Sequence, residues 1–369
     1  MTIYLDHAAT SPLRPEVLAA YTEALQMVGN PSSIHSAGQS ARAVLEDARE
    51  RLAEVVGCDR NEVIFTSGGT EANNLAIKGL YAHRGRKLII TAATEHHAVL
   101  DAVEYLETQG AEIHWLSVSA DGVIDLDELA RVLEERHQDV SLIALMWVNN
   151  ETGAITPIEG VTALADKYGV PVHSDGVASF QHMPTNFAEA GLSTMAITAH
   201  KLGGPVGFGA LIVSRATELT PLFHGGGQER ALRAGTMDAA GAVAFAVAAE
   251  TPQPDYSSLE ALAVELISPL GRLTRGATPG VPNILSFTFE GCSGESMLFL
   301  LDEHDIAVSN GSACTAGVAR ASHVLLAMGH SQESASSALR ISFGPETTRA
   351  DIEALAEALP NVVATARKI

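Results

Sequence analysis

Glu62-Val63-Ile64-Phe65-Thr66-Ser67-Gly68-Gly69-Thr70-Glu71-Ala72-Asn73-Asn74 is the stretch on which the fold turns. An apolar, β-branched run is closed by two glycines and a threonine, and helical periodicity follows at once. The glycines permit a tight turn from strand to helix. The amides that follow lie at a helix N-terminus, where the orphan N–H groups and the helix dipole favour an anion, with Thr70 adding a hydroxyl. Taken alone, the same residues describe an ordinary strand–turn–helix with Thr70 as N-cap equally well. They make neither a Gly-Lys-Ser/Thr phosphate loop nor a G-x-G-x-x-G fingerprint.

Outward from this point the pattern repeats. Strands are expected at Glu62–Thr66, Lys87–Thr91, Glu112–Ser117, Ser141–Val148, Val170–Ser174, Thr194–Thr198 and Gly209–Ser214. Helical patterns stand at 37–56, Ala72–His83, Val99–Thr108, Leu126–Glu135 and Ile158–Tyr168. Strand-then-helix alternation implies crossover connections and an α/β fold with a mostly parallel central sheet covered on both faces. Composition breaks at Thr251-Pro252-Gln253-Pro254-Asp255, after which the order becomes helix, strand (Ile284–Phe289), helix (Glu295–Asp302), short strand, Leu339–Phe343 and a terminal helix from Arg349. We therefore expect a large ligand-binding domain over residues 15–254 and a smaller α+β domain built from 1–14 plus 255–369.

The 369 residues are 46% hydrophobic, enough for a real core and too many for a disordered chain. A formal charge of −21 repels phosphate backbones and argues against nucleic acid as a direct partner. Met1–His7 carry no basic n-region or apolar h-region, and the strongest apolar runs, Leu142–Val148 and Ala239–Ala249, fall well short of a membrane span of roughly 20 residues. Cys58, Cys292 and Cys314 are too far apart for a disulfide framework or a metal knuckle. These features lead us to expect a cytoplasmic protein with reduced thiols, no membrane partner and no metal.

Parallel sheets bind ligands beyond the carboxyl ends of their strands. Pro171-Val172-His173-Ser174-Asp175 ends a strand in a carboxylate, and Thr198-Ala199-His200-Lys201 follows another, leading into Gly203, Gly204, Gly207 and Gly209. Each has a bland reading, as a solvated turn aspartate or a surface lysine. Together, a strand-end Asp175, an anion cup at Gly69 and Thr70, and Lys201 in a glycine-rich loop supply the three needs of pyridoxal 5'-phosphate. These are a partner for the ring nitrogen, a phosphate anchor, and an amine to condense with the aldehyde.

The chain resembles the cysteine desulfurases, in the class V aminotransferase group of fold type I pyridoxal-phosphate enzymes. The likeness rests on Tyr4–Thr10, Gly29–Ser33, Ser67–Asn74, Thr94–Val99, Val148–Glu151, His200-Lys201, His224–Arg230 and Gly311-Ser312-Ala313-Cys314-Thr315, the last similar to the catalytic loop of the longer-loop subgroup. It implies that Lys201 links to the cofactor and shuttles protons, that His96 stacks on the ring, and that Asp175 pairs with the ring nitrogen. Gly69, Thr70, Thr198 and His200 would hold the phosphate, joined by Thr236 of a neighbouring subunit in a homodimer. Asn150 and Arg340 would bind the substrate carboxylate, and Asn150 also borders the cofactor.

Cys314 would be the nucleophile that takes sulfur from L-cysteine as a persulfide, leaving L-alanine. Its small, polar flank, Ser309–Ala313, is unlike the surroundings of a packed structural thiol. The sulfur acceptor would be an iron–sulfur scaffold or a tRNA-thiolation protein. One departure stands out: Ala178 occupies the position where the family usually has a glutamine that bonds the cofactor's phenolic oxygen, leaving Ser179 or a water as substitutes. Selenocysteine lyase, another class V activity, and a catalytically impaired desulfurase-like scaffold are the alternative readings.

Overall fold

The computed structural model describes residues 2–311 and 321–368. After a short N-terminal strand β1 (Ile3–Tyr4) come seven strands that form one sheet: β2 (Val63–Thr66), β3 (Leu88–Ala92), β4 (Glu112–Leu116), β5 (Val140–Ala144), β6 (Val172–Asp175), β7 (Thr194–Thr198) and β8 (Gly209–Val213). Their order is β2-β8-β7-β6-β5-β3-β4. The β3–β4, β3–β5, β5–β6 and β6–β7 pairs are parallel, and only β8 runs against its two neighbours. Because β8 is antiparallel to both β2 and β7, those two point the same way. The mostly parallel α/β sheet expected from the alternation is therefore what forms.

Period-two alternation decides which side chains go to which face. Phe65, Ile90, Ile143 and Ile197 pack with Leu45, Leu52, Leu129, Val161 and Phe245 from helices on one side. Their neighbours Ile64, Ile89, Leu142 and Ala196 pack with Ala72, Leu75, Ala76 and Val103 on the other. Strands β2, β3, β5 and β7 are thus apolar on both faces, as a doubly covered sheet requires.

Two local differences from the expected elements have physical causes. The run Ser141–Val148 leaves regular strand geometry after Ala144, where the Met146 amide donates to the buried Glu95 carboxyl at 2.9 Å instead of to a neighbouring strand. The apolar run Ala239–Ala249 lies in a helix, Ala239–Glu250, with no polar face to betray its period. It packs between helices Pro15–Ala24 and Ser36–Val56. Asp238 caps its start by accepting from the Gly241 amide at 2.9 Å. Gly241 also lets it lie close to Phe208, since a β-carbon there would sit 2.5 Å from the ring.

The later strands are β9 (Arg272–Leu273), β10 (Ile284–Thr288), β11 (Ile306–Ala307) and β12 (Ala338–Ser342), with β10 antiparallel to both β9 and β12. They share a second core in which Phe287, Phe289, Ile341, Leu355 and Leu359 meet Leu5 from the N-terminus. Strand β1 pairs in parallel with β11, so the first residues are built into this later unit. No helix among the described residues is long and apolar enough to cross a membrane.

Candidate active site

Five segments leave the same edge of the sheet, each just after the carboxyl end of a strand. These are Ser67–Thr70 after β2, Thr94–His96 after β3, Leu145–Asn150 after β5, Asp175 at the end of β6, and Thr198–Lys201 at the end of β7. They converge on a cavity of about 370 Å³, which β12 and the segment 309–311 close from the later unit. Gly69, Thr70, His96, Asn150, Asp175, Thr198, His200, Lys201 and Arg340 all line it.

The anion cup forms because helix Gly69–Arg84 begins at the cavity wall, leaving its first-turn amides without intrahelical partners. Gly68, with φ 148°, makes a turn that side-chain-bearing residues resist, and a β-carbon on Gly209 would lie 2.8 Å from the Gly68 Cα. Glycine at both positions lets β8 and the turn approach closely. Asp175 is 5% exposed; its Oδ1 accepts from the Val177 amide at 2.9 Å and its Oδ2 from Asn73 Nδ2 at 2.7 Å.

Lys201 directs its amine at the loop after β1, donating to the Ala8 carbonyl and, at 2.8 Å, to the Ala9 carbonyl. Burial, then the nearby Arg340 cation, lowers the amine to about 8, so roughly a tenth of it is free base at pH 7. Burial also lowers His96 below its ordinary value and brings His7, His182 and His200 down to about 4. The imidazoles around the cavity are therefore neutral at physiological pH. Arg340 is 4% exposed; Nη2 donates to Asp6 Oδ1 at 2.7 Å and Nη1 to the Asn150 carbonyl at 3.0 Å. Its Nε has no partner among the described residues. This is a fork held in place with donor capacity in reserve.

The donor set fits pyridoxal 5'-phosphate: helix-end amides and a threonine hydroxyl for a phosphate, a buried carboxylate for a ring nitrogen, and a lysine poised to lose its proton. Thr236 is exposed and does not line this cavity. Cys314 lies outside the described residues. The other two thiols are poor nucleophiles, because burial pushes Cys58 up to about 12 and raises Cys292. Ala178 lines the cavity, whereas the Ser179 hydroxyl is buried and donates to the Gly176 carbonyl at 3.2 Å. Ser179 is thus not the substitute for the missing glutamine.

His7, Asn73, His182 and Asn283 also line the cavity, though the sequence reading gave them no role. Asn73 carried a readable signal, being one helical turn beyond Gly69 and hence on the same face. His182 and Asn283 carried none, since each reaches the cavity through loop geometry.

Comparison with known proteins agrees with this site. The Aminotransferase class-V family model matches residues 3–355. An IscS-like cysteine desulfurase of Mycobacterium tuberculosis is 44% identical, the alignment covering 99% of this chain and 97% of that protein. A solved NifS-like protein superposes with a TM-score of 0.90 at 31% identity, covering 99% of this chain and all of the other. Another, described as SspA in complex with cysteine, gives 0.84 at 32% identity and covers 94% of this chain and all of the other. The chain belongs to the class V aminotransferases and, within them, to the pyridoxal-phosphate-dependent cysteine desulfurases.

Proposed function

We propose that this enzyme converts L-cysteine to L-alanine and leaves the sulfur as a persulfide on Cys314, from which it passes to an iron–sulfur scaffold or a tRNA-thiolation protein. The observation that carries this reading is the convergence of Asp175, Lys201, Arg340 and the Gly69–Thr70 helix end on one cavity. Asp175 would hold the cofactor's ring nitrogen and Lys201 its aldehyde carbon, while Gly69, Thr70, Thr198 and His200 would hold the phosphate. Bound there, the cofactor supplies an electron sink for the pair left when the substrate loses its Cα proton.

The chain supplies the remaining functions. Arg340, oriented by Asp6 and the Asn150 carbonyl, would take the substrate carboxylate together with the Asn150 side chain. Lys201, whose amine is brought down to about 8, can remove the Cα proton and later return one to carbon. His96, kept neutral by burial, can accept the proton of a thiol. The Cys314 thiolate would attack the substrate sulfur: the S–S bond forms as the Cβ–S bond breaks, and the electron pair stays with the carbon skeleton that becomes alanine.

Thr236 fits a role at a neighbouring subunit's phosphate, since it is exposed on its own chain. The exposed apolar side chains Leu18, Leu25, Val28, Ile34, Val206 and Phe223 support a homodimer, which sedimentation at twice the chain mass would test.

The deciding experiment is sulfide and alanine release from L-cysteine with a thiol reductant, in the natural protein and in Cys314→Ala. Loss of sulfide release with retention of the yellow chromophore is expected. Unchanged turnover in the variant would remove Cys314 from the mechanism.

A further inference from the structure

Behind Asp175 runs a line of buried polar groups that the reaction above does not use. Asn73 Nδ2 donates to Asp175 Oδ2 at 2.7 Å; Asn73 Oδ1 lies 2.8 Å from His173 Nε2; and His173 Nδ1 lies 2.9 Å from Thr194 Oγ1. Exposure along the line is 5% at Asp175, 1% at Asn73, and none at His173 or Thr194. Three backbone elements contribute: the helix Gly69–Arg84, β6 and β7. His173 and Asp175 are two apart on β6, so both side chains leave the same face of the strand, the face covered by that helix.

The directions of these bonds follow from the atoms. An amide nitrogen only donates, so Asn73 gives its Nδ2–H to the carboxylate and its oxygen must accept from His173 Nε2–H. Burial drives the His173 imidazole down to about 3, so the ring carries one proton; with that proton given to Asn73 from Nε2, Nδ1 accepts from the Thr194 hydroxyl. The line therefore has one polarity throughout, Thr194 to His173 to Asn73 to Asp175, and delivers a donor to one carboxylate oxygen. The Val177 amide occupies the other oxygen. Between them the carboxylate is locked in plane and rotation, with lone pairs remaining toward the cavity.

We propose that Asn73 and His173 are positioning residues that aim Asp175 at the ring nitrogen of the cofactor. This rests on the assignment of Asp175 as the ring-nitrogen partner. Without the line, the carboxylate could turn to other donors, and its interaction with the ring nitrogen would weaken while phosphate and aldehyde contacts stayed intact. A merely structural role for Asn73 and His173 would weaken every cofactor contact alike.

The test compares binding of pyridoxal 5'-phosphate and 1-deazapyridoxal 5'-phosphate, which has carbon in place of the ring nitrogen, to the full-length apoprotein. The natural protein should prefer the first; Asn73→Ala should lower that preference about tenfold, as expected for a lost hydrogen bond to a charged group, and His173→Phe, one bond further from the carboxylate, should lower it by less. An undiminished preference in both variants would overturn the positioning role alone, whereas no preference in the natural protein would overturn the Asp175 assignment and this inference with it. A measurement without variants guards against folding failure. Nitrogen-15 spectra of the natural protein should show His173 as the neutral Nε2–H form from pH 5 to pH 9. The opposite tautomer, or titration in that range, would also overturn it.

Discussion

Glu229→Gln should destabilise the protein out of proportion to the single atom it changes. Glu229 and Arg49 are each 7% exposed, and the carboxylate accepts from Arg49 Nη1 at 2.7 Å, from Nη2 at 2.6 Å and from the Phe65 amide at 2.8 Å. Arg49 also donates to the Val63 carbonyl at 2.8 Å and stacks over the Phe65 ring at 4.6 Å, so it has no route to water once unpaired. Its remaining ionic partner is Glu46, 3.3 Å away and half out in solvent. Breaking one side of such a buried pair costs about 3–5 kcal/mol, and the carbonyl oxygen that glutamine keeps favours the lower end. Glu229, Arg230 and Ala231 all have left-handed backbone, with φ 41°, 56° and 61°. Each costs roughly 1 kcal/mol or more in a residue with a β-carbon, and the Arg49 pair holds them there. Urea unfolding of the holoenzyme measures the first effect. Trypsin cleavage after Arg230 or Arg233 measures release of the segment that leads to Thr236. Replacing both partners by methionine should restore most of the loss, because neither charge is then left buried alone. A Glu229→Gln variant within ~0.5 kcal/mol of the natural protein, the scale of an ordinary surface substitution, would refute the reasoning.

Acid should destabilise the apoprotein through its histidines. Burial holds His7, His182 and His200 at about 4 and His173 at about 3, below the ordinary 6.5. The unfolded chain thus binds more protons, and stability present above 6.5 is lost as pH falls through the folded values. His173→Phe should flatten the fall by up to about 1.4 kcal/mol per pH unit, read from urea midpoints between pH 7 and pH 4.5. Arg340→Lys should raise KM for L-cysteine about tenfold with a smaller effect on kcat, since an ammonium cannot keep both Asp6 and the Asn150 carbonyl while offering a fork to substrate. Initial rates of alanine formation decide this. Gly241→Ala should destabilise by about 1–3 kcal/mol although alanine is the better helix former, because its β-carbon would meet Phe208 at 2.5 Å; urea unfolding gives the sign.

The sheet is legible because most of its strands are short apolar runs alternating with helical periodicity, and Asp175, Lys201 and the Gly69–Thr70 turn each follow such a run, which places them at one edge of a parallel sheet. The helix Ala239–Glu250 was not legible as a helix, since burial between two others leaves it without a polar stripe. Asn73 and His173 stood inside quoted motifs, yet nothing in spacing alone shows that a helix residue and a strand residue 100 positions apart will share a hydrogen bond. Arg340 emerged only through family resemblance, because the pairing of β10 with β12 that carries it to the cavity is a long-range event.

Burial converts what the sequence presents as a cluster of basic groups into a site suited to an amino acid and a phosphate ester. Were His7, His96, His182 and His200 all charged beside Lys201 and Arg340, the Lys201 amine would be surrounded by like charge. Desolvation lowers all four imidazoles, leaving them as neutral donors and acceptors. The cations that remain are Arg340, tied to Asp6, and Lys201, which the same desolvation and the Arg340 charge bring to about 8. Burial at the sheet edge, to which β12 and the segment 309–311 contribute, thus accompanies both a fixed cation for a carboxylate and an amine brought to about 8. A chain with a formal charge of −21 can therefore still receive anionic ligands: its excess carboxylates are spread along the rest of the sequence, while Asp175 is the one carboxylate residue among those lining the cavity within the described residues.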